Sequence, residues 1–369
     1  MIGRLISLAM TAAENGRLPD SIVRMGIRRL LRQRIEDETE PDCESQQQRL
    51  MSFIDQACQS PIALVPEKAN EQHYEVPASF FELSLGLRRK YSCCYWPEGT
   101  DSLDKAEDAA LQVTCERAEL RDGLSVLELG CGWGSLSLWM AEKYPNSQIT
   151  AVSNSASQRE HIAAQTVARE LKNLKIITAD MNDLQIEQTF DRVVSVEMFE
   201  HMRNYELLLE RISGWLNPAG KLFVHIFCHK SFAYEFKTQG PNDWMGRHFF
   251  SGGTMPSDDL LLHFQKDLAI AGHWRWDGRH YEKTSNAWLA LMDVNKDRIL
   301  PLFRETYGTD QAVKWFMRWR IFHMACAELF GYASGQEWWV SHYLFQKNRS
   351  NKNRVLLTPT VSATMTNEN

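Results

Sequence analysis

The chain has 369 residues, of which 44% are hydrophobic and 24% are charged, and its formal net charge at pH 7 is -6. This composition excludes a disordered or fibrous protein, and the length suffices for one enlarged domain or a domain with accessory segments. The acidic balance gives no reason to expect nucleic acid as a partner.

The first elements along the chain are predicted to be helices. An amphipathic helix covers 1–13, where apolar residues recur at helical spacing. Arginines cluster within 24–34, and a solvated helix face is favoured there over docking on anionic lipid. No apolar run reaches the roughly 18 residues of a membrane-spanning helix, so we expect peripheral membrane contact at most. We predict a mostly helical N-terminal cap over 1–115.

The most informative motif is Ser125-Val-Leu-Glu-Leu-Gly-Cys-Gly-Trp-Gly134, a short apolar run that ends in three alternate glycines. It predicts a buried strand that turns sharply into a helix, with backbone N–H groups and the positive helix end facing a ligand. A dinucleotide site would have the spacing G-x-G-x-x-G and an acidic residue about 20 positions on. Here Glu128 precedes the turn, and neutral Ser153 and Asn154 follow the next strand. The pattern therefore favours a cationic, phosphate-free cofactor such as S-adenosylmethionine over NAD, with a ligand-free structural turn as the alternative. The glycines are Gly130, Gly132 and Gly134.

Strands and helices alternate beyond this turn, which predicts an α/β fold with a seven-stranded, Rossmann-like sheet. Ligands bind outside the carboxyl ends of such strands, so the N-terminal cap and a helical insertion at 282–335 should face one pocket. We expect the sheet domain to cover 116–347 and a disordered tail to cover 348–369. The predicted strands are 125–130, 149–155, 175–180, 190–199, 221–227, 273–281 and 338–346.

Ionisable side chains crowd the predicted end of the fourth strand, where Glu197, Glu200 and His201 occur together. Buried charges cost several kcal/mol unless they are paired or used, so this cluster is a candidate catalytic site. The alternative is that the glutamates cap the next helix and the histidine simply packs. The aromatic stretch 91–96 suits either a wall around a cation or plain core packing.

Neither the histidines nor the eight cysteines show metal-ligand or disulfide spacing. We therefore expect no metal, and we expect the reducing cytoplasm as the compartment.

Four sequence motifs together resemble those of the cyclopropane-fatty-acid synthase family of S-adenosylmethionine-dependent methyltransferases. They are Tyr91-Ser-Cys-Cys-Tyr95, the glycine turn, Val196-Glu-Met-Phe-Glu-His-Met202 and the stretch that begins at His280. Further phrases, among them Cys228-His-Lys-Ser-Phe232, are similar to the plant coclaurine-type N-methyltransferase branch. The resemblance implies a class I methyltransferase fold for the sheet domain.

The resemblance also implies where S-adenosylmethionine binds. Together with Glu128, the residues expected around its methionine part are Gly130, Gly132, Trp133 and Gly134, with Tyr91 and Ser92 closing over it. Those expected at the ribose and adenine are Ser153, Asn154, Gln158, Asp180 and Met181. Those expected in the acceptor pocket are Tyr95, Phe330 and Trp338.

The resemblance leaves two acceptors open. Cyclopropane synthases hold a bicarbonate ion that takes the proton released by methylation of an alkene, and four positions here match its ligands. The plant N-methyltransferases instead keep the residues that match Glu197 and His201. We favour a small secondary or tertiary amine over an unsaturated acyl lipid, because the N-methyltransferase similarity extends through the cap segments. A homodimer is left open. The bicarbonate-matching residues are Cys93, Glu200, His225 and Tyr281.

Overall fold

The computed structural model describes residues 2–64, 76–240 and 243–348. The strands are β1 (Ser125–Leu129), β2 (Gln148–Ser153), β3 (Leu174–Thr178), β4 (Phe190–Val196), β5 (Leu216–His229), β6 (Tyr234–Glu235), β7 (Thr254–Met255), β8 (Leu268–Trp276) and β9 (Trp338–Lys347).

The helices are α1 (Ile2–Glu14), α2 (Asp20–Glu38), α3 (Cys43–Cys58), α4 (Ala78–Ser84), α5 (Leu103–Arg117), α6 (Ser135–Lys143), α7 (Ala156–Ala168), α8 (Tyr205–Trp215), α9 (Trp244–His248), α10 (Gly278–Val294), α11 (Lys296–Tyr307) and α12 (Ala312–Gly331). Short 3₁₀ turns cover Phe199–His201, Leu260–His263 and Tyr332–Gly335.

Seven strands form the central sheet in the order β3-β2-β1-β4-β5-β9-β8. The first five strands run parallel, whereas β9 lies antiparallel between β5 and β8. β1 lies inside the sheet and carries the apolar run that precedes the glycine turn. Because parallel strands end at one edge, the turns after β1, β2 and β4 meet there. The predicted α/β fold with a seven-stranded, Rossmann-like sheet is confirmed.

Three predicted strands were wrong in their bounds. The fifth, predicted over 221–227, begins at Leu216 and ends at His229. The fourth strand stops before Glu197, whose backbone φ of 49° lies in the left-handed region and turns the chain out of the sheet. The segment 273–281 is not one strand: β8 ends at Trp276. The side chain of Asp277 then accepts a hydrogen bond from the backbone N–H of Arg279 and begins a helix. Tyr281 therefore lies on α10.

Helices surround the sheet, and several are capped by side chains that the sequence supplies at their first turns. Asp42, Ser102, Ser155 and Asn204 each accept a backbone hydrogen bond at the start of a helix. α1 and α2 pack on α12, and α4 packs on α10 and α11, around an aromatic core. Within the described ranges no helix is both long and apolar enough to cross a membrane.

The division into a cap at 1–115 and a sheet domain at 116–347 stays a prediction. Three helices, α10 to α12, occupy most of the segment 282–335 that follows β8. The predicted disordered tail, 348–369, lies outside the described residues apart from Asn348.

Candidate active site

A cleft opens at the edge of the sheet where β1, β2 and β4 end. It has two adjoining compartments that share Gly130, Gly132 and Glu197. The first is lined by residues after β2, β3 and β4 and by Ala63, Ser251 and Gly252. The second is lined by the loop 89–92, by α5 and by the glycine turn. An elongated ligand that lies across the glycine turn would occupy both compartments.

The glycine turn leaves its middle residue open to this cleft. Gly130, Gly132 and Gly134 have φ values of 78°, 52° and 82°. A Cβ atom on Gly130 would lie 2.7 Å from Met198, and one on Gly134 would lie 2.7 Å from Ile162. At Gly132 a Cβ would meet nothing within 4 Å. The outer glycines therefore permit close packing, and the middle one permits close approach of a ligand to the backbone.

Four buried polar atoms along the cleft have no hydrogen-bond partner among the described residues. They are Thr114 Oγ1, Trp133 Nε1, Ser135 Oγ and Gln158 Nε2. A buried polar group without a partner costs about 1 to 3 kcal/mol, so a ligand that pairs with these atoms would gain that free energy. Their spread over both compartments fits a long polar ligand such as S-adenosylmethionine. Thr114 and Ser135 were not predicted from the sequence, although Ser135 directly follows the predicted turn.

All of the predicted cofactor residues except Gly134 line the cleft. In the first compartment, Ser153 Oγ donates to Gln158 Oε1 at 2.6 Å, which leaves the amide nitrogen of Gln158 available. Asp180 Oδ1 accepts from the backbone N–H of Asn182 at 2.6 Å. The Asn182 side chain in turn binds both backbone polar groups of Ala63 and so holds this N-terminal residue against the cleft.

Glu128 lies at the end of β1 beneath the second compartment and is 2% exposed. Ser137 Oγ donates a hydrogen bond to its Oε2 atom. Burial raises the pKa of this carboxyl to about 8, and the Ser137 bond opposes that shift only in part. A cationic group bound nearby would stabilise the ionised form of Glu128.

Glu197 is the centre of the strongest polar cluster in the cleft. Its Oε1 atom accepts from the backbone N–H of Cys93 at 2.8 Å and from His225 Nε2 at 3.1 Å. Its Oε2 atom accepts from the Tyr281 hydroxyl at 2.6 Å. Burial raises the pKa of Glu197, against the opposing charge of Lys90 and the Tyr281 and Cys93 hydrogen bonds. Its left-handed backbone costs about 1 to 3 kcal/mol in a non-glycine residue and aims the side chain into this cluster.

The other two residues of the predicted cluster occupy different surroundings. Glu200 is 1% exposed and does not line the cleft, and its Oε2 atom has no hydrogen-bond partner among the described residues. Burial, and then the charge of Glu197, hold the pKa of Glu200 well above its usual range. His201 lines the first compartment and stacks on Phe250 with ring centroids 4.7 Å apart. Glu197 and His201 thus face the cleft, whereas Glu200 is buried outside its lining.

The structure brings together only some of the other predicted residues. The Cys93 thiol is buried and donates to the Cys94 carbonyl, so only the backbone of Cys93 reaches Glu197. Phe330 stacks on Tyr281 with centroids 4.2 Å apart and so lies next to the Glu197 cluster. Neither Tyr95 nor Trp338 lines the cleft: Tyr95 stacks on Trp276, and the indole N–H of Trp338 donates to the Tyr234 hydroxyl.

Lys90 is a site residue that the sequence reasoning missed. It is 3% exposed, lines the second compartment, and donates from Nζ to Ser92 Oγ at 2.6 Å and to the Cys93 carbonyl at 2.7 Å. Its position directly before Tyr91, a predicted cofactor residue, could have identified it. Lys90 holds the loop that carries two predicted cofactor residues and places a positive charge beside Glu197.

Comparisons with known proteins show what this chain is similar to. The family model described as mycolic acid cyclopropane synthetase matches residues 65–336. (S)-coclaurine N-methyltransferase of Thalictrum flavum subsp. glaucum is 40% identical over 338 residues, which are 90% of this chain and 94% of the relative. Cyclopropane-fatty-acyl-phospholipid synthase of Escherichia coli (strain K12) is 30% identical over 77% of this chain and 69% of the relative.

A solved structure extends the comparison to three dimensions. The crystal structure of coclaurine N-methyltransferase bound to N-methylheliamine and SAH superposes with a TM-score of 0.90 at 39% identity. It covers 93% of this chain and 100% of that chain. The resemblance inferred from the motifs is confirmed, and the chain belongs to the mycolic acid cyclopropane synthetase family.

Proposed function

We propose that this protein is a methyltransferase that uses S-adenosylmethionine to methylate the nitrogen of a small secondary or tertiary amine. The observation that carries this proposal is the Glu197 carboxylate, which accepts three hydrogen bonds at the point where the two compartments meet. N-methyltransferases are among its most similar relatives, and one is seen with an N-methylated amine and SAH. A fixed carboxylate attracts an amine and accepts its proton.

S-adenosylmethionine, when bound, supplies a methyl group on a positively charged sulfur atom. Gly132 would approach it through the backbone, Glu128 would balance its positive charge, and Gln158 and Asp180 would hold its nucleoside part. The polar atoms of Thr114, Trp133 and Ser135 that have no partner among the described residues would offer three further hydrogen-bonding groups to its methionine half.

Glu197 would act on the amine in two ways. Its negative charge would attract the amine to a position in line with the methyl group. It would then accept the proton that a secondary amine loses on methylation. The nitrogen lone pair forms the new N–C bond, and the methyl C–S bond breaks with its electrons left on sulfur. A tertiary amine gives a quaternary product and releases no proton, so only the attraction by Glu197 then matters. His201 also lines the first compartment and would pass the proton outward.

The expected bicarbonate ligands support the amine over the alkene. The backbone of Cys93, His225 and Tyr281 all donate to Glu197, so this carboxylate takes the place that the resemblance assigned to a bicarbonate ion. A base carried by the chain needs no bound ion. Bicarbonate is therefore dropped from the proposed mechanism, and an unsaturated acyl chain becomes an outcome of the test.

The test incubates the purified protein with labelled S-adenosylmethionine and separate panels of secondary amines and unsaturated phospholipids. We expect label on amines only. In single-turnover assays, Glu197→Gln should lower methyl transfer about 10²- to 10⁴-fold with cofactor affinity kept, as for loss of a positioned proton acceptor. His201→Ala should also lower it, and Tyr281→Phe should matter less. Label on phospholipid, with an indifferent Glu197→Gln and bicarbonate rescue of Tyr281→Phe, would instead assign cyclopropane synthesis.

Two further expectations concern the whole protein. The cytoplasm remains our predicted compartment, because all eight cysteines are unpaired in the structure. A homodimer was left open, and sedimentation of the purified chain would decide the oligomeric state.

A further inference from the structure

A chain of hydrogen bonds leads from Arg117, the last residue of α5, through two histidines to the Glu197 cluster. Arg117 Nη1 lies 2.8 Å from His342 Nδ1, and His342 Nε2 lies 2.9 Å from His225 Nδ1. His225 Nε2 then lies 3.1 Å from Glu197 Oε1. Both histidines are 0% exposed, and they are direct cross-strand partners in the β5–β9 register. Neither Arg117 nor His342 was singled out by the motifs.

The arginine fixes the direction of every bond in this chain. A guanidinium group only donates, so His342 must accept at Nδ1 and carry its proton on Nε2. His342 therefore donates to His225 Nδ1, and His225 in turn must carry its proton on Nε2. That proton points at Glu197. Both rings must then be neutral, because a charged imidazole has no nitrogen that can accept.

The surrounding charges agree with neutral rings. Burial, followed by the charge of Lys90 and of Arg117, holds the pKa of His225 well below its usual range. Burial and the neighbouring His225 do the same for the pKa of His342. Arg117 itself is held over the rings of Trp274 and Trp276, at 5.4 and 5.7 Å from their centroids. The titratable and charged groups that face this chain of hydrogen bonds are Lys90, Cys93, Cys94, Tyr95, Glu116, Arg117, Glu200, His225, His273, Tyr281, Cys326 and His342.

We infer that Arg117 and His342 are positioning residues that fix the tautomer of His225, so that His225 always donates to Glu197 and holds this carboxylate ionised and aimed at the acceptor. The inference rests on the proposed function, in which Glu197 attracts the amine and takes its proton. The chain cannot carry that proton away, because each imidazole already bears hydrogen on the nitrogen that points toward Glu197. The proton must leave on the cleft side, where His201 lies.

Histidine tautomers provide a test that needs no activity. The chain has 11 histidines, so the protein is labelled with ¹⁵N-histidine and the two resonances are assigned with His225→Gln and His342→Gln. We expect both rings to be neutral, with the proton on Nε2, across about pH 5.5 to 8.5, where an ordinary histidine titrates. In Arg117→Met, at least one ring should lose the fixed tautomer. An Nδ1–H tautomer or ordinary titration of either ring in the wild type would overturn the inference.

The pH profile of kcat/KM tests the link to Glu197. Without Arg117, His342 can accept a hydrogen bond at Nε2. His225 can then carry its proton on Nδ1, and Glu197 loses a donor. The apparent pKa of the base then rises, so the acid limb of Arg117→Met should move about one pH unit upward, with a smaller move in Arg117→Lys.

Arg192→Met is the matched control, because Arg192 is another half-buried arginine on β4, at the end opposite Glu197, where its Nε donates to the Ala118 carbonyl. Its acid limb should match that of the wild type. A merely structural role for Arg117 would lower the active fraction and leave the limb in place, and that result would refute the positioning role. A wild type inactive on amines would refute the proposed function, and the tautomers would still decide the inference.

Discussion

At Gly132 the backbone itself forms the wall of the cleft, so a side chain there should exclude the ligand. Gly132→Val introduces atoms into space that is open in the structure. We expect calorimetry to show loss of S-adenosylmethionine binding. Gly123→Val is the control, because Gly123 also has a positive φ and an unobstructed Cβ direction but lies outside the cleft. It should lose stability and keep affinity. Equal affinities for Gly132→Val and the wild type would refute this placement of the cofactor.

The buried carboxyl of Glu128 makes a prediction about stability and pH. Its pKa is about 8 in the folded chain, above the value of 4.5 for an unperturbed carboxyl. The folded state therefore binds the proton more tightly than the unfolded state does. This difference stabilises the folded state fully below pH 4.5, and the stabilisation is lost as the pH rises through 8. Relative to Glu128→Gln, the wild type should lose about 2 kcal/mol of unfolding free energy between about pH 6 and pH 8.

Denaturant unfolding at the two pH values measures this difference directly. The exposed Glu160→Gln serves as the control and should show no such change. Parallel curves for Glu128→Gln and the wild type would mean that Glu128 is already ionised in the folded protein.

On the scale of single elements, α1 is held in place by one buried carboxylate. Glu14 Oε1 accepts from Trp244 Nε1 at 2.9 Å and from Arg318 Nε at 3.1 Å, and thus joins α1 to α9 and α12. The hydrogen bonds from Trp244 and Arg318 hold the pKa of Glu14 below its usual value, although burial opposes them. Because the cationic partners of Glu14 are partly exposed, solvent screens these ion pairs, and Glu14→Ala should cost only about 1 kcal/mol of stability. α1 should nevertheless separate more readily from α12.

Limited trypsin digestion would detect this separation at Arg17, just after α1. Glu14→Ala should be cleaved there faster than the wild type and should melt a few degrees lower. Glu36→Ala, at an exposed position on α2, should be cleaved as slowly as the wild type. Equal cleavage of all three proteins would show that apolar contacts alone hold α1.

The elements that the sequence predicted well are those with strong local signals. The apolar run and alternate glycines after Ser125 specify β1 and its turn, because few other structures satisfy both patterns. The segment 273–281 was misassigned because its aromatic residues suit a strand, whereas Asp277 and Gly278 form a helix start that outweighs them. The end of β4 was misplaced because the left-handed backbone of Glu197 is imposed by tertiary contacts and has no signature in the sequence.

On the scale of the whole molecule, the site is assembled from segments far apart along the chain. Most of the predicted cofactor residues that line the cleft lie at or just after the ends of β1, β2 and β3, which the fold class fixes, whereas Tyr91 and Ser92 came from the family resemblance. Arg117 and His342 are separated by 225 positions and meet through the packing of α5 on the sheet. The acceptor pocket was predicted less well for the same reason: Phe330 adjoins the cluster through Tyr281, whereas Tyr95 and Trp338 pack elsewhere.

A phospholipid acceptor would require the whole molecule to bind a membrane surface, and the arginines of α2 are the candidate contact. Arg24 and Arg28 pair with Glu328 at 3.0 and 2.7 Å, and Arg34 pairs with Glu38 on the same helix. Of the five clustered arginines, only Arg29 and Arg32 are exposed and lie outside these pairs. Two basic residues near an anionic surface contribute about 2 kcal/mol. That is well short of the ~4 kcal/mol of even a millimolar complex.

Vesicles rich in anionic lipid should therefore sediment little of the protein at physiological salt, and no more than neutral vesicles do. Any binding at low salt should vanish as salt is added, because exposed charges are screened. The double variant Arg29→Gln and Arg32→Gln should remove that remainder without changing methyl transfer to amines. Sedimentation of most of the protein at physiological salt, abolished by the double variant, would show that α2 docks on lipid. Such docking would favour the unsaturated acyl chain over the amine as the acceptor.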